Sequence, residues 1–215
     1  MKPVLFARIA DMKYYQGITE DDIPVNGGSY VDRTGMAHEC YNFDPVAEDG
    51  NDKLKCAGFC QLSGGRGVNQ LHIEKIAGCE LMKKEEAVYG VTVVFVSKAI
   101  HSTSMRVVGF YKNATVYRYP HILEFENGYE QQFNFEADVE DCVLLPYTVR
   151  HCGNTWFVPN SSSRYSEFGF GRSHIWYAGN KGADSKEIAY VERILNAIET
   201  YKGENWIKHN CMEVE

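Results

Sequence analysis

The chain has 215 residues, 44% hydrophobic, 24% charged and 13% aromatic, with a net charge of −7. That is enough chain for one well-filled core, no run approaches the roughly 18 apolar residues of a membrane span, and the acid excess argues against a broad basic face. The seven cysteines, an odd number with no secretion signal ahead of them, are expected to be reduced thiols in a cytoplasmic setting.

Residues 3–10, PVLFARIA, predict a buried first strand, because Arg8 and Asp11 interrupt the apolar run too early for a secretion signal. A loop from about Met12 to Asn42 follows, with Asn26-Gly27-Gly28 at its centre. Loops this long are generally functional or disordered. Tyr14, Tyr15, Tyr30, Tyr41 and Phe43 make this one too aromatic for a disordered linker. Residues 44–53 read as an exposed acidic turn.

Short strands are predicted at Leu54–Leu62, Leu71–Ile76, Tyr89–Ala99, Met105–Tyr111, Ala114–Tyr119, Tyr129–Phe135, Asp141–Leu145 and Ser173–Ala178. The run Val91–Val96, VTVVFV, predicts a central strand buried on both faces. Strands at this spacing suggest a barrel or a strongly curved sheet. Residues 184–202 predict one helix, with Ile188, Val191, Ile194, Leu195, Ile198 and Tyr201 on one face. Asp184 or Ser185 caps its start and Gly203 follows its end. Residues 1–182 thus form one β-rich domain, on which a C-terminal helix and tail, residues 183–215, are packed.

Charge is unevenly spread. No Asp or Glu occurs from Ala87 to Leu123, where Lys98, Arg106, Lys112 and Arg118 stand, nor from Cys142 to Ser166, where Arg150 and Arg164 stand. Acid gathers at the two ends, which leaves a central surface able to face phosphate.

Catalytic and metal motifs are sparse. Cys56 and Cys60 form the one close cysteine pair, without a further Cys or His at zinc-finger spacing, and as strand residues four apart they are expected to pack inward. There is no Gly-x-Ser-x-Gly, no His-Glu-x-x-His and no phosphate loop. No cofactor is expected. Nothing in the sequence singles out one Cys–His pair as an active thiol.

A binding site has more behind it. Gly109–Arg118, GFYKNATVYR, sets three aromatics, Lys, Arg, Asn and Thr around an expected strand–turn–strand corner with no acid, and Gly171–Ala178 adds Arg172, Trp176 and Tyr177. Aromatic faces with polar groups at the rim are what an extruded base requires.

Taken in order, the segments FARIADMKYYQGITEDDIPVNGGSY, HECYNF, GVTVVFVSKA, VVGFYKNATVYR, DCVLLP and GRSHIWYA resemble EVE-type, PUA-like domains. These are relatives of YTH and SRA folds that read modified bases in modification-dependent HNH restriction proteins. The resemblance implies an α+β fold: a PUA-like curved barrel of five or six strands with flanking helices and a C-terminal helix. It also implies a pocket for a flipped base, 5-methylcytosine or 5-hydroxymethylcytosine in DNA. Tyr30, Asn42, Phe43, Tyr111 and Trp176 are then expected near the base, and Lys112, Arg118, Arg150 and Arg172 near phosphates. Cleavage would come from a nuclease domain or subunit, since this sequence has no such segment. The alternatives are an RNA reader of the YTH kind, an enzyme acting on a nucleotide or other small molecule, and a structural or interaction domain.

Overall fold

The computed structural model describes residues 2–26, 38–48, 51–62, 69–98, 102, 104–124, 130–161 and 166–208. Nine strands make one mixed sheet: β1 (Val4–Arg8), β2 (Pro45–Glu48), β3 (Asn51–Gly58), β4 (Ala87–Lys98), β5 (Met105–Glu124), β6 (Glu130–Asp138), β7 (Cys142–Leu144), β8 (Phe157–Val158) and β9 (Ile175–Trp176). Their order is β2-β3-β6-β5-β4-β1-β9, with β7 and β8 paired to β5, and the sheet does not close. The α-helices among the described residues are α1 (Tyr147–His151) and α2 (Ser185–Thr200). The class is α+β, and no described helix is long and apolar enough to cross a membrane.

β4 is the spine. It pairs parallel with β1 on one side and antiparallel with β5 on the other, and Val91 and Val93–Val96 have no exposed surface. The apolar run makes this possible, since a strand covered on both faces has no polar side to offer.

β5 is one continuous strand of 20 residues, not the two strands and corner expected from its sequence. Asn113 takes a left-handed φ of 51° and inserts one extra residue on β5 between the Val91–Ala114 and Val93–Tyr111 pairs. Gly90, with φ 70°, does the same for β4 between the Val88–Val116 and Val91–Ala114 pairs. The turn signal at Lys112-Asn113 is therefore a bulge, and bulges increase local twist and curl a sheet.

Three other expectations change. Residues 45–48 are not an exposed turn but β2, paired with β3 through Pro45–Cys56, Val46–Lys55 and Ala47–Leu54. The predicted strand at Leu71–Ile76 is a 3-10 turn at Ile73–Lys75, and Leu71 donates its N–H to the Arg118 carbonyl. On α2 the buried positions are Tyr190, Val191, Ile194, Leu195 and Ile198, whereas Ile188 is exposed. The Asp184 cap forms as expected, accepting from the Glu187 N–H at 2.8 Å.

Two apolar clusters fill the two faces. One includes Phe43, Phe95, Tyr111 and Phe135, whose rings meet edge to face at 4.7–5.7 Å. A Cβ on Gly109 would lie 2.5 Å from the Phe43 ring, so only glycine lets β5 come this close. The other cluster lies under α2 and joins Phe6, Phe110, Trp156 and Phe170 to the helix's buried face. Phe95 has no exposed surface at the centre of the four-ring group. Phe95→Ala should therefore cost about 3–5 kcal/mol in chemical denaturation. A loss below about 1 kcal/mol would show that the ring group is not the centre of the core.

Candidate nucleic-acid interface

Three of the buried polar side chains, Glu39, Asn42 and Gln131, meet one stretch of backbone, Ala57–Gln61. Pairing of β3 with β6 ends at Gly58–Phe135. The next residue, Phe59, is held instead by the Asn42 side chain, which accepts from its N–H at 2.8 Å and donates to its carbonyl at 2.9 Å. The chain then crosses toward the opposite edge of the sheet. There the Cys60 thiol donates to the Arg8 carbonyl at 3.2 Å and reaches that of His174 at 3.7 Å.

Two titratable groups flank Gln61. Glu39, only 7% exposed, is bonded to the Gln61 backbone in a way that favours its carboxylate, so the donor is the N–H. Burial outweighs this and pushes the Glu39 carboxyl up to about 7. The His174 ring bonds the same residue's backbone in a way that favours its charged form, so the carbonyl accepts, and its Nδ1 is buried without a partner. Burial, then the nearby Arg8, lowers the His174 pKa.

Cys60, His174 and Glu39 are thus neighbours, as in a thiol enzyme. Burial and then Glu39 hold the Cys60 thiol far above its ordinary range, however, and its hydrogen already points at carbonyls. A nucleophile needs the thiolate, whereas here the protonated thiol ties the crossing segment to β1 through the Arg8 carbonyl. Among the described residues no group of His, Cys, Asp and Glu is placed to hold a metal ion.

β9 carries the site to the surface. An open cleft of about 500 Å³ lies beside it, lined by Trp176, Tyr177, Lys75 and Glu187 together with Gly169, Gly171 and Gly182. The Lys75 ammonium stands 5.9 Å from the centre of the Tyr177 ring, and the Tyr177 hydroxyl accepts from the His72 N–H at 2.9 Å. The Glu187 carboxylate in this cleft accepts from the Gly179 N–H at 2.9 Å. Trp176 is half-buried: it packs on Phe6 with ring centres 4.7 Å apart, and Phe168, Phe170 and Tyr190 stand 5.9–6.3 Å from its ring.

The residues expected from sequence divide sharply. Trp176 lines the cleft and Arg172 is exposed close by in the chain. Asn42, Phe43 and Tyr111 have no exposed surface: Asn42 braces Phe59, and the Tyr111 hydroxyl donates to the Asn42 carbonyl. As the molecule stands, none of the three can touch a base.

Arg118 and Arg150 are buried as well. Arg118 pairs with Glu74 at 2.8 Å and donates to the carbonyls of Glu85, Met82 and Lys83. Arg150 donates to those of Leu145, Met12 and Lys13 at 2.6–2.8 Å. With every fork of both guanidinium groups directed at protein, neither faces phosphate. Lys112 is half-buried and, after Lys2, helps hold the Glu199 carboxyl below its ordinary value. Tyr30 lies outside the described residues.

Sequence reading missed Lys75, Glu39 and His174, although Glu39 and His174 lie in the quoted HECYNF and GRSHIWYA segments. Compared with known proteins, the chain matches no family model, no curated protein and no solved structure.

The Glu39 carboxyl generates a pH prediction. Between its ordinary 4.5 and about 7 the folded chain binds more protons than the unfolded one, so this group makes stability fall as pH rises through that window. The full cost is about 3 kcal/mol at alkaline pH. His174, with its pKa lowered, acts in the opposite sense below its ordinary 6.5. Glu39→Gln should remove the Glu39 slope and raise the melting temperature most above pH 7. Parallel melting curves for variant and wild type from pH 4.5 to 8 would contradict the assignment.

Proposed function

We propose that the domain binds nucleic acid carrying a modified base, 5-methylcytosine or 5-hydroxymethylcytosine in DNA, and stacks the extruded base at the β9 edge. In this reading the curved sheet is a PUA-like barrel and the domain is the reader module of a modification-dependent restriction system. A nuclease domain or subunit supplies cleavage.

The observation that carries the reading is the β9 cleft. It has the volume for a base, two aromatic walls, and glycine backbone that a ligand can approach closely. Lys75 in the cleft and the exposed Arg172 nearby in the chain supply positive charge for a phosphate. A flipped base must regain by stacking what it loses on leaving the helix, and base–aromatic stacking is worth roughly 1–3 kcal/mol.

The test uses matched oligonucleotides, DNA and RNA, with cytosine, 5-methylcytosine or 5-hydroxymethylcytosine, across a range of salt. Trp176→Ala should weaken the preference for the modified base by roughly 1–3 kcal/mol and leave the salt slope almost intact. Arg172→Ala should weaken all sequences alike and flatten the slope by about one charge. Binding is normalised to folded protein, because Trp176 also packs on Phe6. Equal affinity of the wild type for modified and unmodified strands would refute the reading, and a preference confined to RNA would transfer it to the YTH-like alternative.

A further inference from the structure

Arg118 and Arg150 are spent on the protein's own carbonyls, but two other arginines are not. Arg106 on β5 gives one N–H to the Gly153 carbonyl at 2.8 Å and stands 5.5 Å from the centre of the Phe157 ring. Arg193 on α2 gives one N–H to the Thr155 carbonyl, also at 2.8 Å. One loop, residues 153–157, thus holds both guanidinium groups, and each keeps the rest of its five donors. Among the described residues neither has a carboxylate partner.

The sequence explains why they stand unpaired. Arg106 pairs with Phe157 on β8 and Ser97 on β4, and the residues one turn from Arg193 on α2 are Ala189, Tyr190, Asn196 and Ala197. None of these can neutralise a guanidinium. Residues 142–166 contain no acid either. An open recess of about 560 Å³ lies here, lined by Asn154, Thr155, Phe157 and Arg193. Gly153 turns the loop with a φ of 62°, and a Cβ there would meet nothing within 4 Å, so its backbone is open to approach.

A chain of contacts connects this recess to the β9 cleft. The Arg193 guanidinium lies 5.1 Å from the centre of the Tyr190 ring, and that ring is 5.9 Å from the Trp176 ring. Arg193 therefore stands within about 11 Å of Trp176. On α2, Glu187 lines the cleft, Arg193 lines the recess and Tyr190 lies midway, so the path along the helix axis is about 9 Å. The Tyr190 hydroxyl donates to the Phe157 carbonyl at 3.0 Å and fixes the loop to the helix. A nucleotide with its base extruded spans a separation of this order between base and flanking phosphate.

We propose that Arg106 and Arg193 bind the phosphates of the strand whose extruded base occupies the β9 cleft. Each directs its free N–H groups at one phosphodiester, and Asn154 and Thr155 add neutral donors at the recess. The inference rests on the nucleic-acid reading above. Arginine suits the task, because its planar fork engages two phosphate oxygens at once. A guanidinium already held by a loop carbonyl also has less side-chain freedom left to lose on binding.

The test follows binding of modified and unmodified oligonucleotides against salt for Arg106→Gln, Arg193→Gln, the pair together, and the conservative variants Arg106→Lys and Arg193→Lys. Each glutamine should weaken both strands alike, roughly tenfold at low salt, and flatten the salt slope by about one charge. The pair should flatten it by about two. Lysine keeps the charge, so its slope should stay near that of the wild type. Lys84→Gln removes an exposed charge next in the chain to Lys83, whose carbonyl Arg118 holds, and as the control it should change neither quantity. Binding is normalised to folded protein. Glutamine variants with no more effect than Lys84→Gln would overturn the phosphate site, and a persisting preference for the modified base would leave the reader function standing. Lysine variants as weak and as flat in slope as the glutamine ones would show that the arginines only brace the loop, and would overturn the contact. Flattened slopes in a protein that binds modified and unmodified strands equally would overturn the reader function and leave the phosphate site standing.

Discussion

The Asn42 side chain does for Phe59 what a neighbouring strand would do. It accepts from the backbone N–H and donates to the carbonyl, both under 3 Å, with no exposure to water. Because this pair of bonds replaces the β6 ladder, β3 can leave the sheet at Gly58 without abandoning buried backbone groups. The crossing segment then brings Cys60 and Gln61 to Arg8 and His174 at the other edge. The Glu39 and His174 contacts follow from that departure. The Tyr111 hydroxyl, which donates to the Asn42 carbonyl, ties this junction to the ring cluster around Phe95.

Buried arginines secure the same region from the loop side. The Arg150 guanidinium has no exposed surface and gathers the carbonyls of Met12, Lys13 and Leu145. Asp22 completes the arrangement from the acid side, accepting the N–H groups of Lys13 at 2.5 Å and Tyr14 at 2.7 Å. The long loop after β1 is thus pinned by charge-assisted bonds at its beginning. Arg118 does similar work for residues 82–85. Cations used in this way stabilise loops and cannot also attract phosphate. The acid-free window therefore overstates the positive surface.

The scaffold was readable because its signals are local. VTVVFV has no polar face, so it could only be central, and the period of residues 184–202 with an Asp cap could only be a helix. Cys56 packs inward as strand alternation predicts, and Cys60 is buried too, although it lies beyond the end of β3. Lys112-Asn113 misled for an equally local reason: the signal of a turn and that of a left-handed bulge are the same residue type, and only pairing with β4 separates them. Leu71–Ile76 has a strand's composition, yet it closes as a 3-10 turn at Ile73–Lys75.

The binding surface was less legible. Composition drew attention to Trp176 and Arg172, which reach the surface, and gave the buried Tyr111, Arg118 and Arg150 the same credentials, because residue type does not report burial. Sequence by itself determined the central strand, the closing helix with its cap, and an aromatic-rich interior, each set by periodicity over a few neighbours. Tertiary structure alone decided which aromatics reach water, which arginines are used up on carbonyls, and that Glu39, His174, Asn42 and Gln131 meet around Ala57–Gln61. These residues are up to 135 positions apart in sequence, from Glu39 to His174. Only the curl of the sheet and the departure of β3 at Gly58 bring them within hydrogen-bonding reach of one backbone.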